Sequence, residues 1–273
     1  NGKIQKFTTT ALGNTIGELF ARDLNQIMGM HRDVISGDLY VCVLNPGHLY
    51  RIPKEHASNP TTYPKVLLTS IETPILVPID LVKDDVSNEI FVLLGGDSGS
   101  ITRMILNDND NQYIVENKWS GTDVVLSLPG SSGMILGGGI ALDQNWIYVS
   151  EHGTGGVKRF NRDVSRKMEI IVPTGMFKYP QDIIVTSTGS VLVSDLYGNV
   201  VYQIYQQKGQ KSQEIQEDEG NGSKGESEKD QSWLIDLVAI DLNYPRSIAL
   251  RERDGKMYVT ELNPNRVVEV VPL

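Results

Sequence analysis

One two-strand phrase recurs five times along this chain, and a repeat constrains a fold more tightly than composition does. It reads LYVCVLNPGHLYRI at Leu39–Ile52, IFVLLGGDSGSITRM at Ile90–Met104 and IYVSEHGTGGVKRF at Ile147–Phe160. It returns as VLVSDLYGNVVYQI at Val191–Ile204 and MYVTELNPNRVVEV at Met257–Val270. Each copy alternates apolar and polar residues, turns at Gly, Asn or Pro, and alternates again, which is the pattern of a β-hairpin. A lone hairpin cannot bury a core, so the copies must pack on one another.

A further strand precedes each pair: PIDLV after Pro78, GGIAL after Gly137, PQDII after Pro180 and PRSIA after Pro245, with HRDVI at His31 the least clear. An outer strand follows most copies, at Lys65 (KVLLTS), Asp123 (DVVLSL), Met168 (MEIIVP) and Trp233 (WLIDLV). Four antiparallel strands recurring at intervals of about 45 to 65 residues predict the blades of a β-propeller. The expected fold is all-β, one propeller domain over residues 1–273 with five blades, six being the alternative. The last copy ends at Leu273 without an outer strand, while Gly2–Thr10 is an orphan strand at the other end. Pairing the two would complete the fifth blade and close the ring, removing exposed edges. A sixth blade would need strands within Asn14–Met30, which reads as a short helix.

Two segments depart from the pattern. Gly209–Gln231 is charged and nearly free of large apolar residues, so it cannot offset its ordering entropy. It is expected to be a flexible insertion on the rim of the fourth blade, with a partner-binding tail as the other reading; Asn221-Gly222-Ser223 within it is a formal glycosylation sequon. Asn107–Asn111 alternates Asn and Asp and could offer oxygen ligands to calcium, although Asx-rich turns also form for backbone reasons alone.

Charge narrows the partners. A net charge of -9 argues against nucleic acid, whose phosphates need a basic surface. No apolar run approaches a membrane span. The single cysteine, Cys42, lies in a strand and is expected to be a buried, inert thiol. Absence of an intrachain disulfide suits a reducing compartment but is compatible with export.

Blade geometry places certain residues near the central channel. The opening residues of the first strands are read as Asp33, Asp80, Gly139, Asp182 and Ser247, and the residues closing the second strands as Val43, Leu94, Glu151, Asp195 and Glu261. Clustered carboxylates suit a hard cation such as calcium, with Asp80, Asp182, Asp195 and Glu261 as candidate ligands. They also suit acid–base work, for which Glu151, His152, Asp182, Asp195 and Glu261 are the candidates. The competing reading is structural: each acid accepts hydrogen bonds from backbone amides of a neighbouring blade. His152 sits beside Glu151 in a glycine-rich loop, where a carboxylate would raise its pKa.

GGGIALDQNWIYVSEHGTGGVKRFNRD at Gly137–Asp163 resembles a blade of the gluconolactonase and strictosidine-synthase-like propellers. YPRSIALRERDGKMYVTELNPNRVVEV and the Tyr179–Ile204 stretch resemble NHL repeats. The resemblance covers most of the chain at the level of blade pattern and implies the propeller fold. It does not carry over an active site. Where gluconolactonase-type enzymes place a metal-binding Asn, this chain has Gly138-Gly139, and their N-terminal Glu has no match near His31. The zinc histidine set of peptide-amidating lyases is not matched by His31, His48, His56 and His152. The expected function is therefore a non-enzymatic propeller that binds a protein or glycan partner as a scaffold or binding module. The alternative is a metal-dependent lactonase, lyase or hydrolase at the channel mouth. For location, extracellular stands ahead of cytoplasmic.

Overall fold

The structure is a computed structural model describing residues 2–9, 15–54, 66–68, 77–95, 100–107, 112–120, 137–162, 168–207, 232–251 and 253–270. Five antiparallel sheets follow one another as blades. Blade one holds β3 (Ile27–Arg32), β4 (Leu39–Val43), β5 (His48–Ile52) and β6 (Val66–Leu67). Blade two holds β7 (Pro78–Lys83), β8 (Ile90–Leu94), β9 (Ser100–Asn107) and β10 (Gln112–Ser120). Blade three holds β11 (Gly137–Leu142), β12 (Trp146–Glu151), β13 (Gly156–Asn161) and β14 (Met168–Val172). Blade four holds β15 (Pro180–Val185), β16 (Val191–Asp195), β17 (Val200–Gln206) and β18 (Trp233–Ala239). Blade five holds β19 (Pro245–Arg251), β20 (Lys256–Glu261) and β21 (Arg266–Val270). The molecule is an all-β, five-bladed propeller. No helix among the described residues is long and apolar enough to cross a membrane.

Strand alternation builds the core between blades rather than within them. Val191 and Val193 of β16 face blade three and pack with Tyr148, Val157 and Val172. Leu192, between them, faces blade five and packs with Ile248, Met257 and Val259. The same division recurs one blade earlier, where Ile147 and Val149 join Phe91 and Leu93 while Tyr148 turns the other way. A period of two thus supplies an apolar layer to each neighbour, which a single-faced sheet could not do.

The first strands carry a shared irregularity. In all five blades the pairing between first and second strands shifts register near the start, at Ile27/Gly29, Pro78/Asp80, Gly137/Ile140, Pro180/Ile183 and Pro245/Ile248. A bulge of this kind leaves a backbone N–H without its ladder partner. In four blades a second-strand side chain accepts it: Cys42 Sγ from Gly29, Ser150 Oγ from Gly139, Ser194 Oγ from Asp182 and Thr260 Oγ1 from Ser247. Cys42 is fully buried and burial pushes its thiol pKa up, so the expectation of an inert thiol holds.

The structure corrects four expectations. Gly2–Thr9 (β1) does not complete blade five; it pairs with Thr15–Leu24 (β2), with Phe7 opposite Gly17. A partner across a short connection costs far less loop-closure entropy than one at the opposite end of the chain. The segment read as a short helix is β2, and Leu24 at its end packs on Val41, Val43 and Ile52 of blade one. Blade two's outer strand is Gln112–Ser120, not the stretch from Asp123, because the nearer segment forms a tight hairpin with β9. Finally, Gly29, not Asp33, stands level with Asp80: Gly29 is opposite Cys42 as Asp80 is opposite Leu93. Residues 108–111 and 208–231, including the candidate calcium turn, most of the charged insertion and the sequon, lie outside the described residues.

Candidate functional site

The five first strands surround a cavity of about 690 Å³, lined among others by Gly29, Asp80, Ile140, Asp182 and Ser247. Asp80 and Asp182 are the two acids of the expected inner ring that reach it. Each leans on a glycine of the preceding blade: a Cβ on Gly29 would lie 2.2 Å from Asp80 Oδ1, and one on Gly139 would lie 3.0 Å from Asp182 Oδ1. Each also accepts a backbone N–H from the following blade, Asp80 Oδ2 from Ile140 at 3.0 Å and Asp182 Oδ2 from Ile248 at 2.8 Å. The acids therefore staple one blade to the next across the channel wall.

Their electrostatics follow from depth. Both are only half-buried by exposed area, yet each is surrounded by protein along the channel. Burial, and then the charge of Asp182, push the Asp80 pKa well above the usual carboxylate range. Burial pushes Asp182 up to about 6, against the pull of the Ile248 and Ile183 amides. A carboxyl with a raised folded pKa binds its proton more tightly folded than unfolded. Its stabilisation is present at low pH and is lost as the pH rises from the ordinary carboxylate range through about 6 for Asp182, and further for Asp80. Asp80→Asn mimics the protonated acid and removes the repulsion. Between about pH 4.5 and about pH 8 the variant is expected to lose about 1 to 2 kcal/mol less stability than the wild type in urea unfolding. Parallel pH profiles for the two proteins would show that the pair does not titrate.

The second set of acids closes β12, β16 and β20. Asp195, fully buried, accepts from the backbone N–H of Lys178, Tyr179 and Gly198 at 2.8, 2.8 and 3.0 Å. Glu261 accepts from Asn243 N–H at 2.6 Å and Arg266 Nε at 2.5 Å. Arg266, and the Asn243 amide after it, hold the Glu261 carboxyl below its usual pKa against burial. Glu151 takes the Thr154 hydroxyl at 2.5 Å and Lys158 Nζ at 2.7 Å. The three sit in separate blades. Among the described residues no group of three or more His, Cys, Asp or Glu side chains gathers as a metal site, so the metal that gluconolactonase-type propellers hold has no fitting donor set there.

A different constellation occupies the mouth where β15 and β19 begin. His152, from the turn after β12, stacks on Tyr179 with ring centroids 4.1 Å apart. Tyr179 meets Tyr197, from the turn after β16, at 4.8 Å, and Tyr197 meets Tyr244 edge-on at 6.2 Å. The arc is half in solvent, with Tyr197 53% and Tyr244 41% exposed. Tyr244 also takes a left-handed backbone (φ 53°), which a bulky residue seldom adopts. Arg246, two residues on, is exposed and lines the channel. It makes no ion pair with an acid among the described residues.

His152 is the outlier. It is 9% exposed, and neither Nδ1 nor Nε2 has a hydrogen-bond partner in the protein. Burial, and then the nearby positive charge of Arg246, lower its pKa to about 4, so the ring is neutral at neutral pH. The expected rise from Glu151 does not occur, because that carboxylate is turned to Thr154 and Lys158. Sequence reasoning singled out His152 but missed Tyr179, Tyr197, Tyr244 and Arg246. A signal was present: Tyr-Pro opens both β15 and β19, at Tyr179-Pro180 and Tyr244-Pro245.

No family model matches the chain, and no curated protein sequence matches it. Solved structures do. A gluconolactonase from Xanthomonas campestris superposes with a TM-score of 0.61 at 13% identity, over 96% of this chain and 76% of that one. A catalytically inactive virginiamycin B lyase from Staphylococcus aureus, solved with quinupristin, gives 0.55 at 12%, over 97% and 76%. An auxiliary nutrient binding protein from Bacteroides ovatus gives 0.61 at 10%, over 98% of this chain and 64% of that one. Enzymes and a binding protein stand side by side among these neighbours, so the likeness speaks for the fold and leaves the activity to the site. This chain is similar to the gluconolactonase-like and lyase-like β-propellers, and shares their architecture.

Proposed function

We propose that the protein is a non-enzymatic binding propeller whose partner seats on the channel mouth formed by blades three to five. One observation carries this: a buried, neutral imidazole with two unsatisfied nitrogens lies beneath an open arc of tyrosines. An unmet buried polar group costs about 1 to 3 kcal/mol, a cost that a ligand hydrogen bond would relieve. Tyrosines and an unpaired arginine are also the side chains that dominate binding energies. The carboxylates that a metal-dependent lactonase, lyase or hydrolase would use are instead engaged by amides, Thr154, Lys158 and Arg266.

The test is a screen of glycan and peptide arrays with the wild type and the double variant Tyr197→Ala/Tyr244→Ala. Hits are expected to weaken at least about tenfold in the variant, whose exposed substitutions leave the melting temperature unchanged. A melting temperature that rises with calcium, zinc or magnesium, and no longer rises in Asp182→Ala, would establish the metal-dependent alternative instead.

A further inference from the structure

Resting on that reading of the mouth, we propose that the ligand is an acidic saccharide, bound with a sugar ring on the tyrosine arc, its carboxylate on Arg246 and a hydroxyl on His152. Three requirements at the mouth converge on this chemistry. The first is His152. A neutral imidazole carries one N–H donor and one bare nitrogen acceptor. With its pKa lowered to about 4, this ring keeps both at neutral pH, and both lack a partner. A hydroxyl donates and accepts at once, so vicinal hydroxyls on one ring can serve both nitrogens; a carboxylate can only accept.

The second requirement is Arg246. A guanidinium matches a carboxylate in a planar, two-bond fork. On a chain of net charge -9, with 34 acidic residues, an exposed arginine that none of the described acids pairs is a place reserved for an outside anion. Its charge already reaches His152 and Tyr179, so anion and hydroxyl would bind within one ring's width of each other. The third is the arc. Tyrosine presents a flat apolar face and a polar tip, which suits the C–H face of a pyranose and its equatorial hydroxyls together. The rings of Tyr179, Tyr197 and Tyr244 are set in series, 4.8 and 6.2 Å apart, a run long enough for more than one sugar unit. An aromatic acid would satisfy the arc and Arg246 but leave both His152 nitrogens unmet.

Isothermal titration of the full chain with a trimer of galacturonic acid, the matching neutral galactose trimer, and benzoate decides the matter. The acidic trimer is expected to bind at least about tenfold tighter than the neutral one, and Arg246→Gln to erase that difference. His152→Phe keeps the stack and removes the nitrogens; it is expected to weaken the acidic trimer about tenfold. Because His152 is buried and its variant could misfold, the imidazole nitrogens are also followed by ¹⁵N NMR in the wild type, where the acidic trimer is expected to shift both. Equal affinity for the two trimers overturns the acidic assignment. Benzoate binding as tightly as the acidic trimer, with unmoved imidazole nitrogens, overturns the saccharide. If all three probes fail while Tyr197→Ala/Tyr244→Ala still weakens array hits, the ligand class is wrong and the mouth remains the binding site. If the array hits are also indifferent to the arc, the binding reading falls with it.

Discussion

Asp195→Ala is expected to destabilise the protein by about 4 kcal/mol, seen as a fall in the urea midpoint at unchanged slope. The carboxylate is completely buried and both of its oxygens are engaged. Lys178 and Tyr179 donate from the segment that leads into β15, and Gly198 donates from the turn after β16. Removing the side chain strands three N–H groups, each worth about 1 to 3 kcal/mol when left dry, and opens a small cavity. The backbone would relax in part, which is why the expected loss is below the sum. Gly198 leaves no room for a remedy nearby, since a Cβ there would lie 2.7 Å from Asp195 Cγ. Asp195→Asn is a milder test: one oxygen is kept and one amide is set against an N–H. If Asp195→Ala unfolds at the wild-type midpoint, the carboxylate is not holding the blade, and its reading as a chemical group regains force.

That residue also shows what the sequence made legible. Asp195 could be placed at the end of a second strand because the alternation of VLVSD and the following turn left no other register. The same reasoning located β12, β16, β20 and the inter-blade layers they feed. It failed where pattern was ambiguous or long-range. GELFARDLN is rich in good helix formers, so propensity favoured a helix, and pairing with β1 overrode it. Asp33 was taken for a channel residue because HRDVI aligned weakly; the bulge at Gly29 is what sets the register, and a glycine carries no side-chain signal. The arc was hidden for a different reason. Its four rings come from four separate turns and strand starts, and only the ring of blades brings them within 4.1 to 6.2 Å. Proximity of that kind is a property of closure, not of spacing along the chain.

Asp33 has a structural role on the opposite face, and Lys83→Met is expected to reveal it with a loss of about 3 to 5 kcal/mol at neutral pH. Lys83, at the end of β7, is 1% exposed and places Nζ 2.7 Å from Asp33 Oδ2 and 3.6 Å from Asp85 Oδ1. Asp33 also accepts the N–H groups of Ile35 and Ser36, while Asp85 takes the Val34 N–H, so the turns of blades one and two are knotted together. Methionine fills nearly the same volume, so the variant isolates the charge from the packing. It leaves Asp33 and Asp85 buried beside each other with no cation, and the uncompensated charge dominates the cost. The Lys83 hydrogen bond, with the two amides, holds the Asp33 pKa below its usual value against burial. A lowered folded pKa contributes stability above the unfolded value and loses it as the pH falls through the folded one. The gap between wild type and variant should therefore be widest near neutrality and shrink below about pH 4, where Asp33 protonates and the wild type loses the pair as well. Adding Asp33→Asn to Lys83→Met should recover part of the loss at neutral pH, because the stranded anion is gone. A double-mutant cycle that closes with no coupling would show that blades one and two are held by their apolar layer alone.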